Sequence, residues 1–205
     1  MKVKSATRHD AILDVALALF REVGFDAASM SQIAARVGGS KATLYNHFSS
    51  KEELLLEAML ASADRYAQEV RLLLQQSDDL TTQLHTFVVS LLKLINSAET
   101  IQILRVAISV GNTSDIGRRF YEMGTHEPWL EIADVLRREM EQGNLPVADP
   151  DMMAMHLRDL CHTDLICNLL GASCEMSDAE AERKACYIVN VFLRAYGIVQ
   201  SSSVA

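Results

Sequence analysis

The sequence predicts an all-α fold, with a three-helix head at the N-terminus and a larger helical body behind it, about nine helices in total. Three observations predict this fold. Apolar residues recur at intervals of three and four along most of the 205-residue chain, the period of a helix with one buried face. Alternating runs typical of strands are few, and the chain has only three prolines. Apolar residues make up 49% of the composition, enough for a substantial core.

The first helix of the head is marked by an apolar stripe between a start signal and a stop signal. Thr7 and Asp10 can begin the helix, and Gly24 can end it. The apolar positions between them are Ile12, Val15, Ala16, Leu19, Phe20 and Val23. This spacing predicts an amphipathic helix, and the acidic residues at positions 10 and 14 exclude a signal peptide.

Two short helices joined by a glycine turn are predicted next. Ser29 and Gln32 have the spacing of a capping box, so the first of these helices begins at Ser29. Gly38 and Gly39 end it, because glycine accepts the left-handed backbone that a tight exit needs. Ser40 then caps the second helix.

The second of these helices keeps only Leu44 and Phe48 as inward apolar residues, and its other positions are small, polar or aromatic. A helix of this kind, held out by two supporting helices, suits insertion into the major groove of DNA. Ser50 caps the helix that follows, and Glu53 can complete a second capping box there. The last two helices of the head are therefore predicted to form a helix-turn-helix.

Charge divides the chain into a basic head and an acidic body. Residues 1–51 carry seven Lys and Arg against four Asp and Glu, a net charge of +3. The whole chain has a net charge of −8, which leaves −11 for the remainder. This balance fits a protein that contacts DNA with one end only.

The segment from Arg8 to Leu55 resembles the DNA-binding domain of the TetR family of transcriptional regulators. The matching positions are Ile12, Ala16, Phe20, Gly24, Phe25, Ile33, Ala34, Gly38, Ser40, Thr43, Leu44, Tyr45, His47, Phe48, Ser50, Lys51 and Glu52. Gly39 departs from the family pattern, which has an apolar residue there. The stretches 120–124 and 143–150 resemble the C-terminal domain of the AefR-like branch of the family.

The predicted DNA-binding residues are Ser29, Ser31, Gln32, Lys41, Ala42, Thr43, Tyr45, Asn46, His47 and Lys51. Lys41 and Thr43 can reach phosphates or base edges, and Ala42 is small enough to touch a thymine methyl group. The resemblance implies that Tyr45, His47 and Lys51 contact phosphates. It places Ser31 and Gln32 near the edge of the groove.

Six further helices are predicted in the body, at 51–76, 79–96, 98–110, 115–142, 149–171 and 177–199. Pro128 predicts a kink or break near residues 124–127. Residues 1–50 are expected to form the DNA-binding domain, and 51–200 the helical domain that binds an effector and forms the dimer, as the resemblance implies.

The last two predicted helices carry apolar residues on more than one face, and a helix of this kind is buried on all sides. A second copy of the chain is the natural cover, which gives a four-helix bundle across a two-fold axis. The interface is predicted to contain Leu165, Leu169, Ala185, Ile188, Val189, Phe192 and Tyr196.

Large and soft side chains of the middle helices are the candidates for a ligand pocket, since Met and aromatic residues line adaptable pockets. They are Met59, Tyr66, Phe87, Ile103, Phe120, Met123, His126, Trp129 and Met155. Such residues also fill ordinary cores, so each could instead be structural. His9 and His85 are expected at the surface.

Four cysteines lie in the last third of the chain, at positions 161, 167, 174 and 186. No Cys-x-x-Cys pair occurs, so reduced structural cysteines are expected, with a thiol- or metal-responsive regulator as the alternative. No phosphate-binding glycine loop or metal motif is found, so no catalytic residue, metal or cofactor is predicted. An enzyme, or an architectural DNA-binding protein without an effector, remains the alternative from another class.

These observations together predict a homodimeric, ligand-responsive transcriptional regulator. We expect a repressor that a small hydrophobic effector releases from a palindromic double-stranded DNA operator. No run of about 18 apolar residues occurs, so no membrane partner is expected. The expected location is the cytoplasm.

Overall fold

The computed structural model describes residues 2–74, 79–111, 113–172 and 176–197, which contain helices and no β-strand. The all-α prediction is thereby confirmed. The helices are α1 (Lys2–Val23), α2 (Met30–Val37), α3 (Lys41–Tyr45), α4 (Lys51–Leu74), α5 (Leu80–Ile95), α6 (Ala98–Val110), α7 (Ile116–Phe120), a π-helical segment (Tyr121–His126), α8 (Glu127–Glu141), α9 (Pro150–Cys161), α10 (Leu165–Leu169) and α11 (Asp178–Ala195).

The chain divides into two compact packing units. The first contains Met1–Arg65 and Gln102–Thr125, and the second contains Tyr66–Ile101 and His126–Ala205. The boundary predicted at residue 50 does not coincide with this division by packing, and the roles assigned to 1–50 and 51–200 stay a prediction. Helix α4 belongs to the first unit up to Arg65 and to the second from Tyr66.

The first unit is held together by one apolar core that extends well past the head. Of the predicted stripe of α1, Ile12, Ala16, Leu19 and Phe20 are buried, Val15 is half-buried and Val23 is exposed. Helices α2, α3 and the first half of α4 close over the buried part. Residues of α6 and α7 belong to the same core. Its most buried large side chains include Ile12, Phe20, Ile33, Leu44, Phe48, Leu54 and Met59.

The second unit is a bundle in which α11 packs along α5, and α9 packs against α8 and α11. Its core includes Phe87, Leu92, Trp129, Leu136, Leu157, Phe192 and Leu193. Among the described helices, none is long and apolar enough by itself to cross a membrane. The pair α5 and α6 meets that length and composition test only together, across a 63° bend.

The break expected near Pro128 is present. Helix α7 ends at Phe120, and α8 starts at Glu127 with Pro128 in its first turn, where a missing N–H costs no hydrogen bond. Between them lies the π-helical segment. A Cβ atom at Gly124 would lie 3.0 Å from the Phe120 ring and 3.3 Å from Leu60, so this backbone passes close to α4.

The single helix predicted over 149–171 is wrong, because the chain turns at residues 162–164. The His162 N–H bonds to the carbonyls of Arg158 and Asp159, at 3.0 and 3.2 Å. The Thr163 hydroxyl donates to the Leu160 carbonyl at 2.7 Å. These bonds satisfy the last carbonyls of α9, so the helix ends there and α10 starts separately.

Candidate nucleic-acid interface

The start of α2 is fixed by the predicted capping box. The Ser29 N–H donates to Gln32 Oε1 at 2.9 Å, and the Gln32 N–H donates to Ser29 Oγ at 3.3 Å. This reciprocal pair satisfies two of the N–H groups that a helix start leaves open. Ser31 and Gln32 are exposed on the first turn, where the resemblance places the edge of the groove.

The turn between α2 and α3 is built by Gly38. Its φ of 72° is left-handed, and its N–H and that of Gly39 bond back to the carbonyls of Ala35 and Ala34, at 3.3 and 2.9 Å. Ser40 then caps α3, accepting from the Thr43 N–H at 3.1 Å. The hydroxyls of Ser40 and Thr43 are 2.9 Å apart, so the cap also orients the Thr43 side chain.

Helix α3 presents one polar face outward because two apolar anchors hold its inner face. Leu44 is fully buried and Phe48 nearly so. On the outer face Lys41, Ala42, Tyr45 and Asn46 are exposed, with Tyr45 at 47%.

The Lys41 ammonium lies 5.7 Å from the centroid of the Tyr45 ring, within the range of a cation–π contact. This face therefore combines a cation, a hydroxyl, an amide and a small methyl group. These are the chemical groups needed to contact phosphates and base edges.

The side chain of Lys51 makes its contacts within the protein. Its Nζ donates to the carbonyls of Phe25 at 2.8 Å and Ala28 at 3.1 Å, and it lies 4.2 Å from the centroid of the Phe25 ring. The start of α4 is thus tied to the loop between α1 and α2. No local sequence pattern predicts this role, because the two acceptors lie more than twenty residues away. The phosphate contact expected of Lys51 stays a prediction.

The second capping box is shifted by one residue from the prediction. Ser50 Oγ accepts from the Glu53 N–H at 3.1 Å, as expected. The Glu53 carboxylate, however, accepts from the Ser49 N–H at 2.6 Å and from the Ser49 hydroxyl. These hydrogen bonds from Ser49, helped by the charge of Arg119, lower the pKa of Glu53.

His47 is half-buried beside the outer face, and its neighbour His9 was missed by sequence reasoning. The two rings are 6.0 Å apart and edge-on. His9 was expected at the surface, yet it is half-buried. It lies three residues before Ile12, on the same stripe of α1, and that spacing was the available signal.

The nine candidates for a ligand pocket are divided between the two packing units, and their role stays a prediction. Met59, Ile103 and Phe120 are buried in the core of the first unit. Met123, in the same unit, is 50% exposed. The side chain of Tyr66 lies outside the described residues.

The other pocket candidates belong to the second unit. Phe87 and Trp129 are buried there, with their rings edge-on at 5.7 Å. The Trp129 ring also lies 6.5 Å from the ring of His162, and burial lowers the pKa of that histidine. Met155 and His126 are half-buried in this unit.

The interface residues predicted on α11 need correction. Ala185, Ile188, Val189 and Phe192 are buried within the protomer and cannot cover a partner. They occupy the inner face because α11 is amphipathic rather than apolar all round. The outer face of α11 carries Tyr187 (72% exposed), Val191 and Ala195. Tyr187 and Val191 directly precede the buried residues Ile188 and Phe192 in the sequence.

The remaining interface candidates are Leu165, Leu169 and Tyr196, which are half-buried. The exposed apolar residues here are instead Ile166 on α10 and Leu170 directly after it, with Leu170 at 79%.

A groove of about 660 Å³ opens between α9 and α11. His156 Nδ1 and Tyr196 Oη form a hydrogen bond of 2.6 Å at its wall. Burial, followed by the charge of Asp149, raises the pKa of Tyr196. The groove is lined by His156, Asp159, Leu160, Thr163, Val191, Phe192, Ala195 and Tyr196.

The cysteines differ in accessibility. Burial raises the pKa of the Cys161 thiol to about 12, whereas Cys167 and Cys186 are exposed. Cys174 lies outside the described residues. Within the described part of the chain, no group of three or more His, Cys, Asp or Glu side chains is placed to hold a metal ion.

Two family models match most of the chain. Residues 12–58 match the model described as bacterial regulatory proteins, tetR family. Residues 82–198, more than half of the chain, match the AefR-like transcriptional repressor, C-terminal domain. The chain belongs to the TetR family of transcriptional regulators. Both the family and the AefR-like resemblance predicted from the sequence are confirmed.

Solved structures of TetR regulators share the whole fold. A TetR-family transcriptional regulator from Mesorhizobium loti MAFF303099 is 28% identical, with a TM-score of 0.86, over 95% of this chain and 98% of that one. The flavonoid-responsive regulator FrrA is 26% identical, with a TM-score of 0.73, over 93% and 97% of the two chains.

A curated relative matches about a third of the chain. The HTH-type transcriptional activator FasR of Mycolicibacterium smegmatis is 40% identical over 72 residues, which span 35% of this chain and 33% of the activator. TetR regulators bind operator DNA and act as dimers, and they are transcription factors rather than enzymes.

Proposed function

We propose that this protein is a homodimeric repressor that binds a palindromic operator and is released from it by a small hydrophobic molecule. The observation that carries the proposal is the outer face of α3. Leu44 and Phe48 anchor this helix from inside, and the glycine turn and the Ser40 cap fix its start. The description of the matched C-terminal model as a repressor domain favours repression. Its site of action is then the cytoplasm, where the DNA is.

The proposed contacts divide by chemistry. Tyr45 and His47 donate to phosphates, which position the head without reading sequence. Ala42 and Asn46 face the base edges, whereas Lys41 reaches a phosphate from the first turn of α3. Because Thr43 is held by the Ser40 cap, its hydroxyl stays close to the start of α3 and serves a phosphate there.

The phosphate assignment of Tyr45 is tested by Tyr45→Phe. The probe is a duplex selected by the wild-type protein from a randomised library of roughly 30 base pairs, long enough for two half-sites. Loss of one phosphate hydrogen bond predicts about threefold to tenfold weaker binding to the selected duplex and to its single-base variants alike. Ala42→Ser, on the base-facing side, is the matched comparison. If Tyr45→Phe altered discrimination at one base pair only, the phosphate role would be refuted.

The proposed dimer surface consists of apolar residues on the outer side of α10, at its C-terminal end and on α11. They are Ile166, Leu170, Tyr187 and Ala195, which are exposed, and Val191, which is half-buried. Exposed apolar patches of this kind mark association surfaces. On each helix these residues recur every four positions and so lie along one line.

The dimer surface is tested by Leu170→Asp. A buried, unpaired carboxylate at a hot spot costs about 2 kcal/mol or more, so the dimer should dissociate at roughly 30-fold higher concentration. Ile108→Asp is the control, since Ile108 is also an exposed apolar residue and lies in the first unit. Sedimentation equilibrium measures both variants. Equal dissociation constants for the two variants would refute the proposed surface.

We place the effector beside Trp129 in the second unit, where Phe87 packs edge-on against it. Aromatic side chains with a nearby polar group, here His162, suit a flat hydrophobic ligand. The similarity to FrrA, a flavonoid-responsive regulator, supports this ligand class.

Thermal unfolding with a panel of flavonoids, and a panel of fatty acids for comparison, tests the site. A true effector at 100 times its Kd stabilises the protein by about 2.7 kcal/mol and releases the selected duplex. Trp129→Leu should abolish both effects, while Met152→Leu, at an exposed residue of α9 in the same unit, should keep them. Stabilisation that survives Trp129→Leu would place the effector elsewhere.

A further inference from the structure

His9 lies half-buried on α1, between α4 and the segment that follows α3. Its Nε2 is 3.3 Å from Glu57 Oε2 on α4. Its ring lies 5.0 Å from the ring of Phe48, with the planes 33° apart. The ring of His47 stands edge-on to it at 6.0 Å, with the planes 65° apart. One imidazole of α1 therefore contacts both α4 and the DNA-binding segment.

We propose that His9 is a positioning residue for DNA binding. It holds the imidazole of His47 in place for its phosphate contact and makes that contact proton-linked, with Glu57 as the balancing charge. The proposal rests on the proposed function, because it requires His47 to contact a phosphate. It adds a residue of α1 that does not itself touch the DNA.

The backbone of His47 is fixed by a hydrogen bond, so His9 can only influence the position of the His47 side chain. The His47 N–H bonds to the Leu44 carbonyl at 2.9 Å, so only the side-chain torsions of His47 are left to set. Phe48 is buried and gives His9 a rigid platform, while Glu57 holds the opposite edge of its ring. The Phe48 ring and the Glu57 carboxylate therefore restrict the His9 ring, and the His9 ring in turn restricts the position of the His47 ring. A side chain ordered in advance loses less entropy when it binds.

The proton linkage follows from the donors of imidazole. A neutral ring has one N–H donor, and a protonated ring has two. The protonated His47 can donate to a phosphate with full charge, and the protonated His9 forms an ion pair with Glu57. The flanking charges on α1 are Arg8 and Asp10, both exposed, and they oppose each other in sign.

Protonation of the two imidazoles adds donors and positive charge for the phosphate contact, so DNA binding should take up protons. DNA affinity should then rise as the pH falls, by at most about tenfold per pH unit for each proton taken up.

The test is a double-mutant cycle with the full-length protein and the selected duplex described above. His9→Gln, His47→Gln and the double variant are compared with wild type by fluorescence anisotropy at several pH values. His9→Gln should weaken binding by about threefold to tenfold in the wild-type background and by less than about twofold in the His47→Gln background. It should also flatten the pH profile. Glu57→Gln should also flatten the pH profile of DNA affinity, and it should lose less affinity at low pH than His9→Gln does.

Circular dichroism and thermal unfolding serve to check that each variant is folded. His9→Phe is a second variant, chosen because its ring keeps the packing on Phe48. His9→Phe should lose the pH dependence although its ring still packs. Equal effects of His9→Gln in both backgrounds, or an unchanged pH profile, would overturn the proposal. So would wild-type affinity in His47→Gln. Failure of the wild-type protein to select any duplex would refute the proposed function instead.

Discussion

Replacing Lys51 by Met separates a structural role from a DNA-binding role at one residue. The ammonium of Lys51 donates two hydrogen bonds to backbone carbonyls and lies against the ring of Phe25. A net value of about 1 kcal/mol for each hydrogen bond gives about 2 kcal/mol. The cation–π contact adds about 0.5 kcal/mol at this partly exposed site. The methionine chain keeps most of the packing, so about 2 kcal/mol is the expected loss in the free energy of unfolding.

The assay is urea unfolding followed by circular dichroism, at one fixed protomer concentration because association also stabilises the fold. For a chain of this size, 2 kcal/mol corresponds to a fall of about 4–8 °C in Tm. Lys41→Met is the matched control, because Lys41 is exposed on α3 and donates no hydrogen bond within the described part of the chain. Its unfolding free energy should change by less than about 0.5 kcal/mol.

For the salt dependence of DNA binding, Lys41→Met should have the larger effect of the two variants. Lys41→Met should reduce the slope of log affinity against log salt by about one, as expected for one lost phosphate contact. Lys51→Met should weaken binding chiefly through the loosened loop between α1 and α2, with a smaller change in slope. The reasoning would be refuted if Lys51→Met unfolded at the wild-type urea concentration while its salt slope fell by one.

Further predictions concern the turn, the cap and the thiols. Gly38→Ala should cost about 1–2 kcal/mol in urea unfolding, because φ is left-handed there, while Gly39→Ala should cost under about 0.5 kcal/mol. Glu53→Gln should be less stable than wild type at neutral pH, because Ser49 lowers the pKa of Glu53 in the folded state. That stabilisation is lost as the pH falls below the ordinary value of 4.5, so unfolding curves of the two proteins should converge in acid. Alkylation of the native protein at mildly alkaline pH, followed by mass spectrometry, should modify the two exposed cysteines well before Cys161; equal rates would contradict its burial.

Local signals predicted the head well because each depends on residues close in sequence. The Ser29 and Gln32 box and the Gly38 turn are set by neighbours three to five residues apart, and both are present. Pro128 likewise predicted the break before α8. The missed features depend on distant partners. Lys51 bonds to carbonyls 23 and 26 residues away, and no local pattern reports such a contact.

The body was harder to predict because apolar content does not show direction. Helix α11 contains enough apolar residues to look buried on all sides, yet Ile188 and Phe192 face inward while Tyr187 faces outward. A helical wheel distinguishes these faces only when the position of the neighbouring helices is known. The same limit applies to the pocket candidates, because composition does not show which core a residue joins: Met59 and Trp129 belong to two different cores.

The shared core of the first unit has a consequence for building hybrid regulators. Its buried side chains come from residues 12–59 and again from 103–120. A chimera joined at residue 50 would therefore set a new head against Leu54, Met59 and Phe120 of another parent. Such a junction cuts through one packed interior, and mismatched volumes there are expected to cost about 1–3 kcal/mol. The part that can be exchanged intact is the packing unit, two separate stretches of chain that have to be transferred together.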